Sequence, residues 1–193
     1  MSVTIVSGVP GVGSSRVCEA ARRQLDDSYE LVNFGDVMVE EAVARGIATS
    51  RDELASLPLH DYRVLQRRSA EEIDRRRREH GNSLVVDTHL AVRTDRGFLP
   101  GLPEVVFGEL RPNAFVLIEA GPETIVARRE GSESREYHAD DEFAVSFHSQ
   151  LNRAAAMNHA IRAAVPITPV SNEGDVDYAA ARLVECVEAA EGR

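Results

Sequence analysis

The chain contains no lysine and no tryptophan, only two cysteines, and few aromatic rings, 5% of its residues. Each scarcity excludes something. Without lysine there is no ε-ammonium to serve as phosphate ligand, Schiff-base former or general base, and all 22 basic side chains are arginines. Cys18 and Cys186 lie in helical patterns near opposite ends. They support neither a disulfide framework nor a zinc site, and read as buried thiols. No apolar run approaches the roughly 20 residues a membrane-spanning helix needs. No signal peptide precedes the first strand-like run, so a cytoplasmic location with no membrane partner is expected. A net charge of −10, from 32 acidic residues against those 22 arginines, disfavours general nucleic-acid binding. The basic run "DRRRRE", Asp74 to Glu79, has acidic neighbours and reads as a solvated helix face. Lysine is ordinarily a common residue. Its replacement by arginine fits a GC-rich genome, and the acid excess fits a salt-rich cytosol that screens mutual repulsion, so a halophilic source is expected.

What remains is enough for one domain, residues 1–193, 43% of them hydrophobic. Strand signals occur at Val3–Ser7, Glu30–Phe34, Ser83–Asp87, Ala114–Glu119 and Ile167–Val170. Helical patterns lie between and after them: Ser14–Leu25, Asp36–Ala44, a start at Ser50, Asp61–His80, Pro103–Leu110, Pro122–Arg129, Asp140–Ala164 and Asp175–Ala190. Leu65, Ala70 and Ile73 belong to the inner face of the long polar helix. Ser50 and Glu53 have capping-box spacing. Strands alternating with helices predict a three-layer α/β fold, a five-stranded parallel sheet with helices on both faces.

The stretch "TIVSGVPGVGSSRV" carries the sharpest signal. A β-branched run, a glycine-rich turn and a helix follow one another, with Gly8, four residues, Gly13, Ser14 and Ser15 in phosphate-loop spacing. Gly8, Gly11 and Gly13 let the backbone curl, so that amides point inward at a helix start. Val9, Pro10 and Val12 complete the cradle, and Ser15 can offer its hydroxyl to Mg²⁺. A plain Gly/Pro turn would share this pattern, but spacing and context together favour phosphate. Ser14 stands where a lysine is usual, and Arg16 is a candidate for the missing charge. "SLVVDTH" puts Asp87 at the carboxyl end of an apolar strand, where open parallel sheets bind ligands and phosphate-loop enzymes keep a Mg²⁺-associated aspartate. His89 is close by, although transfer between phosphates requires little proton abstraction. The remaining positive charge must come from arginines outside the core: Arg51, Arg93, Arg128, Arg129, Arg135 and Arg153. "RREGSESREYHADD" reads either as a mobile flap carrying Arg135 or as an ordinary exposed loop.

The motifs "SGVPGVGSS" (Ser7–Ser15), "VNFGDVM" (Val32–Met38), "RDEL" (Arg51–Leu54), "VVDTH" (Val85–His89), "GFLPGLP" (Gly97–Pro103) and "NRAAAM" (Asn152–Met157) occur in this order. Taken together, the sequence resembles the archaeal-type adenylate kinases nearly end to end. The resemblance implies a P-loop nucleoside monophosphate kinase fold and the reaction ATP + AMP ⇌ 2 ADP with Mg²⁺. It implies that Gly8 to Arg16 bind ATP phosphates. Asn33, Phe34, Gly35, Asp36, Arg51 and Arg93 would form the AMP side, and a helical segment near 35–80 would bind the monophosphate. Asp87 would hold Mg²⁺ through water. Arg129 and Arg135 would close from a short lid near 129–140, and Arg153 would neutralise the transferring phosphoryl group. A homotrimer is compatible with the resemblance. A UMP or CMP kinase and a non-catalytic nucleotide-binding protein are the other readings the residues leave open.

Overall fold

β-Branched runs and amphipathic stretches alternate along the chain, and the structure turns that alternation into layers. The computed structural model describes residues 1–94, 97–131 and 141–192, except the side chain of Asp52. Five parallel strands form the sheet: β1 (Val3–Ser7), β2 (Tyr29–Asn33), β3 (Ser83–Thr88), β6 (Ala114–Glu119) and β7 (Ile167–Ser171). Their order is β2-β3-β1-β6-β7. β1 is therefore central, and whatever follows its carboxyl end lies mid-molecule. The register aligns Val6 with Asp87, and Asp87 with Asn33. A second pair, β4 (Ala91–Thr94) and β5 (Gly97–Pro100), is antiparallel.

The period of two along β1 divides the core. Val3 and Ile5 join one cluster, with Phe34, Leu65, Ile73, Val86, Leu110 and Phe115. That side is covered by α2 (Phe34–Ala44), α4 (Leu59–His80), α5 (Glu104–Leu110) and part of α7 (Glu142–Ala163). Val6 joins the other cluster, with Val17, Cys18, Val85, Val116, Ile118, Leu183 and Val187. There α1 (Ser14–Arg22) packs on α8 (Val176–Glu191), with Ile125 of α6 (Pro122–Glu130). Strands covered on both faces explain the nearly continuous apolar runs. No helix among the described residues is long and apolar enough to cross a membrane. Cys18 is buried and Cys186 half-buried, both as free thiols.

Several boundaries differ from expectation for local reasons. β2 ends at Asn33, because the Asn33 side chain accepts the Asp36 amide (3.3 Å) and starts α2 at Phe34. α3 (Arg51–Ala55) begins where Ser50 Oγ accepts the Glu53 amide, at 3.3 Å. The Glu53 carboxylate takes the Thr49 amide and hydroxyl, at 2.6 and 3.0 Å, so the expected capping box is only half made. The β4–β5 pair has no counterpart in the sequence reading, since its strands are only four residues long and partly exposed. "DRRRRE" is solvated only in part. Asp74 is 3% exposed and accepts from Arg77 (2.6 Å) and Arg78, with Arg111 at 3.6 Å, because α5 covers that face of α4. Most of the lid segment, 132–140, and with it Arg135, lies outside the described residues.

Candidate active site

β1 ends and α1 begins within seven residues, and the connecting loop is shaped by glycine. Gly11 and Gly13 have φ of 87° and 89°, a conformation side chains disfavour. Close approach forbids a Cβ as well. One on Gly8 would lie 2.4 Å from Val12 Cγ1, one on Gly11 2.8 Å from Arg129 Cγ, and one on Gly13 2.8 Å from Asn172 Nδ2.

The loop carbonyls are held from outside at alternate residues. His89 Nδ1 donates to Gly8 O (2.6 Å). Arg129 donates through Nε and Nη2 to Pro10 O, at 2.9 and 2.7 Å. Asn172 Nδ2 and Arg128 Nη1 both donate to Val12 O, at 2.8 and 3.1 Å. The described peptides are all trans, and in a planar trans peptide the N–H points opposite to the C=O. The amides of Val9, Gly11 and Gly13 therefore face away from these donors. Gly13 also sits at the N-cap of α1 and has no side chain to cap it. Amides turned this way at a helix start are suited to polyanion oxygens.

A chain of side chains runs from the loop to the starts of α2 and α3. Ser15 Oγ donates to Asp87 Oδ2 (2.8 Å), and Asn33 Nδ2 donates to the same oxygen (3.2 Å). Asn33 Oδ1 accepts from Arg51 Nη2 (2.8 Å), which also donates to Asp36 Oδ1 (2.6 Å). Gly35 leaves room for this arginine, since a Cβ there would lie 3.2 Å from Arg51 Cζ. Five sequence candidates thus meet in one line. Phe34 does not join them. Its side chain is 2% exposed and packs in the core, so only its backbone stands at the start of α2. Asp87 is itself buried, and its charge adds to burial in pushing the Cys18 thiol well above its ordinary value.

The arginines fall into different settings. Arg16 is exposed on the first turn of α1, and Arg93 is exposed on β4. Arg129, expected to close from the lid, instead ends α6 as a buried side chain on the Pro10 carbonyl. Arg153 forms a two-point ion pair with Glu119 at the end of β6, at 2.5 and 3.0 Å. Its neighbour Asn152 fixes α7 there, accepting from Ser7 Oγ (3.0 Å) and the Leu90 amide (3.1 Å). Arg153, Glu119, Val9 and Val12 line one narrow cleft. Asn172 and the carbonyl-binding roles of Arg128 and His89 have no motif to announce them. The available signal was position, since Asn172 follows β7 at the carboxyl edge of the sheet.

Ser15 and Asp87 form a hydroxyl and carboxylate donor set beside the loop, the hard oxygens Mg²⁺ takes together with phosphate and water. Among the described residues no cluster of three His, Cys, Asp or Glu is placed for a metal. An ion drawing most of its ligands from phosphate and water does not require one.

Comparison with known proteins agrees with this geometry. The family described as "AAA domain" matches residues 7–145. The adenylate kinase of Methanothermobacter thermautotrophicus is 41% identical over 175 residues, covering 91% of this chain and 92% of that protein. The adenylate kinase of Methanopyrus kandleri is 39% identical, covering 96% and 97%. That of Pyrococcus furiosus is 37% identical, covering 97% and 96%. Among solved structures, a gluconokinase from Sinorhizobium meliloti superposes with a TM-score of 0.53 at 17% identity, covering 99% of this chain and 94% of that one. A sugar kinase from Janibacter gives 0.56 at 17%, covering 97% and 95%. These two speak to the fold, a three-layer α/β kinase architecture. With relatives this similar over nearly its whole length and a phosphate loop built as described, the chain belongs to the archaeal adenylate kinase family.

Proposed function

We propose that the protein catalyses ATP + AMP ⇌ 2 ADP with Mg²⁺, in a salt-rich cytoplasm. The observation that carries this reading is the line Ser15–Asp87–Asn33–Arg51, which joins the phosphate loop to a guanidinium on the acceptor side. Gly8 to Arg16 bind the triphosphate, chiefly through main-chain amides. Ser15 and Asp87 hold Mg²⁺, which when bound offsets charge on the phosphate oxygens. Arg51, Asn33, Gly35, Asp36 and the backbone of Phe34 receive AMP, with Arg93 approaching from the hairpin. The AMP phosphate oxygen, already anionic, bonds to the γ-phosphorus as the bond to the β–γ bridging oxygen breaks, and that oxygen keeps the electron pair on ADP. No general base is required, so His89 is left to its structural bond. Arg153, released from Glu119 or shared with it, stabilises charge in transit, assisted by Arg135, while Arg129 supports the loop through the Pro10 carbonyl.

The test is ADP formation from ATP with AMP, UMP or CMP in molar KCl. Turnover with AMP far above the pyrimidine monophosphates is expected. Preference for UMP or CMP would reassign the acceptor. Tight ATP binding without turnover on any acceptor would leave a nucleotide-binding module.

A further inference from the structure

Where the usual loop lysine would bind phosphate from inside, this loop is organised from behind. We infer that Asn172 is a positioning residue for the triphosphate site, fixing the Val12 carbonyl so that the Gly13 amide and the start of α1 face the ligand. The inference rests on the nucleotide reading above.

Asn172 is placed rigidly. It is 2% exposed, and its amide donates to Glu119 O (2.7 Å), extending the β6–β7 ladder by one bond. Its own carbonyl accepts from Arg128 Nη2 (2.8 Å), while Nη1 of the same arginine joins it on Val12 O (3.1 Å). Sheet edge, α6 and loop are thus tied at one carbonyl. The side chain presses directly beneath Gly13, where no Cβ would fit.

The bond is retained at a cost to the fold. Among the described residues, Asn172 Oδ1 is buried and meets no hydrogen-bond donor. A half-satisfied buried amide is poor for stability, and an apolar side chain of similar shape would avoid the penalty. What leucine could not do is hold Val12 O. The carbonyl direction fixes the direction of the Gly13 N–H, because the two share one peptide plane. Among the described residues, loss of the Asn172 donor leaves the Val12 carbonyl held by Arg128, and the peptide plane free to rock. Amides that must then be reoriented on binding hold an anion less well.

Asn172→Leu and Asn172→Ala separate this role from a packing role. Binding of ATP, AMP and inorganic tripolyphosphate is measured by calorimetry with Mg²⁺, alongside thermal melts. Tripolyphosphate has no base, so it reports on the loop alone. The expected result for Asn172→Leu is about tenfold weaker binding of ATP and of tripolyphosphate, the weight of one hydrogen bond. AMP affinity and melting temperature should be maintained. Asn172→Ala should show the same binding pattern and keeps the test open if leucine is not accommodated. Arg128→Ala, which removes the other donor, should weaken tripolyphosphate binding as well. Unchanged tripolyphosphate affinity in a folded Asn172 variant overturns the inference, as does a loss confined to ATP, which would mean a contact with the base. Equal losses for ATP and AMP with a lowered melting temperature would mean a general structural role and also overturn it. If the unaltered protein binds neither ATP nor tripolyphosphate, the nucleotide reading fails first and this inference with it.

Discussion

Asn33 spends both halves of its amide on different parts of the site, Nδ2 on Asp87 and Oδ1 on Arg51. A leucine there would keep the volume and cut the line between donor and acceptor sides. Asn33→Leu should therefore reduce turnover and weaken any mutual effect of ATP and AMP on each other's binding. Calorimetric titration of one nucleotide in the presence of the other measures this, and an unchanged coupling would refute the proposed link. Arg153 makes a different expectation. Its Glu119 partner keeps the guanidinium firmly protonated and holds it beside the loop. A charge that acts on the moving phosphoryl group should matter more in the transition state than in the bound state. Arg153→Ala should lower kcat by about 10²- to 10³-fold with a much smaller change in nucleotide affinity. Equal losses in both would assign it to ground-state binding. At this scale the sequence was legible where a residue type has a chemical signature. Ser15, Asp87 and Arg51 could be named because hydroxyl, carboxylate and guanidinium groups beside a glycine loop imply phosphate chemistry. The roles of Asn172, Arg128 and His89 could not be read, because they bind backbone carbonyls, and any donor of suitable reach can do that.

The elements were legible in proportion to burial. β1, β3 and β6 appear as apolar runs because both of their faces are covered, whereas the edge strand β7 buries only Val170. The hairpin of β4 and β5 was not legible, since its four-residue strands are partly exposed and carry Arg93 on one side. Yet the hairpin leads into a constrained segment. A Cβ on Gly101 would lie 1.6 Å from His89 O, and Gln66 Nε2 donates to Gly101 O at 3.2 Å. Gly101→Ala should destabilise the protein by about 3 kcal/mol, the upper end of overpacking effects. It should also loosen the loop, since His89 is the residue that holds Gly8 O. Urea unfolding reads the first effect and ATP affinity the second. Helix α7 adds a response to pH. His148 and His159 both lie buried on it. Burial is the main cause that lowers both imidazoles, with the charges of His89, Arg129 and Arg93 adding for His148 and that of Arg162 for His159, which Glu104 opposes. A histidine kept neutral in the folded state contributes stability above its unfolded value, about pH 6.5, and loses it as the pH falls through the lower folded value. Stability measured by urea at falling pH should decline from about pH 6.5 downward. In the double variant His148→Gln, His159→Gln, the decline over that window should be shallower. An equal slope in both proteins would place the titration elsewhere.

At the scale of the molecule the question is which charges win. The net charge is −10, but most of the described arginines on α4 are already paired. Arg67 meets Glu71 at 2.9 Å, Arg76 meets Glu72 and Glu40 at 2.8 Å, and Arg77 meets Asp74 at 2.6 Å. Such contacts are short, and the exposed ones contribute little, so salt takes little away. The surplus carboxylates repel one another across longer distances. Screening reaches about 10 Å at 0.1 M salt and about 3 Å at 1 M, so added ions remove the long-range repulsion before they reach pairs in contact. Raising KCl from about 0.1 M to about 1 M should therefore stabilise the fold rather than weaken it. A gain of about 2 kcal/mol would lift the melting temperature by roughly 4–8 °C for a chain of this size. The rise should be steepest at low salt, where the screening length changes most, and should flatten once that length falls below the spacing of neighbouring carboxylates. A melting temperature that drops as KCl is added would mean that the arginine pairs outweigh the acidic excess. A rise that is linear to high concentration would point to exclusion of the salt from the protein surface rather than to screening.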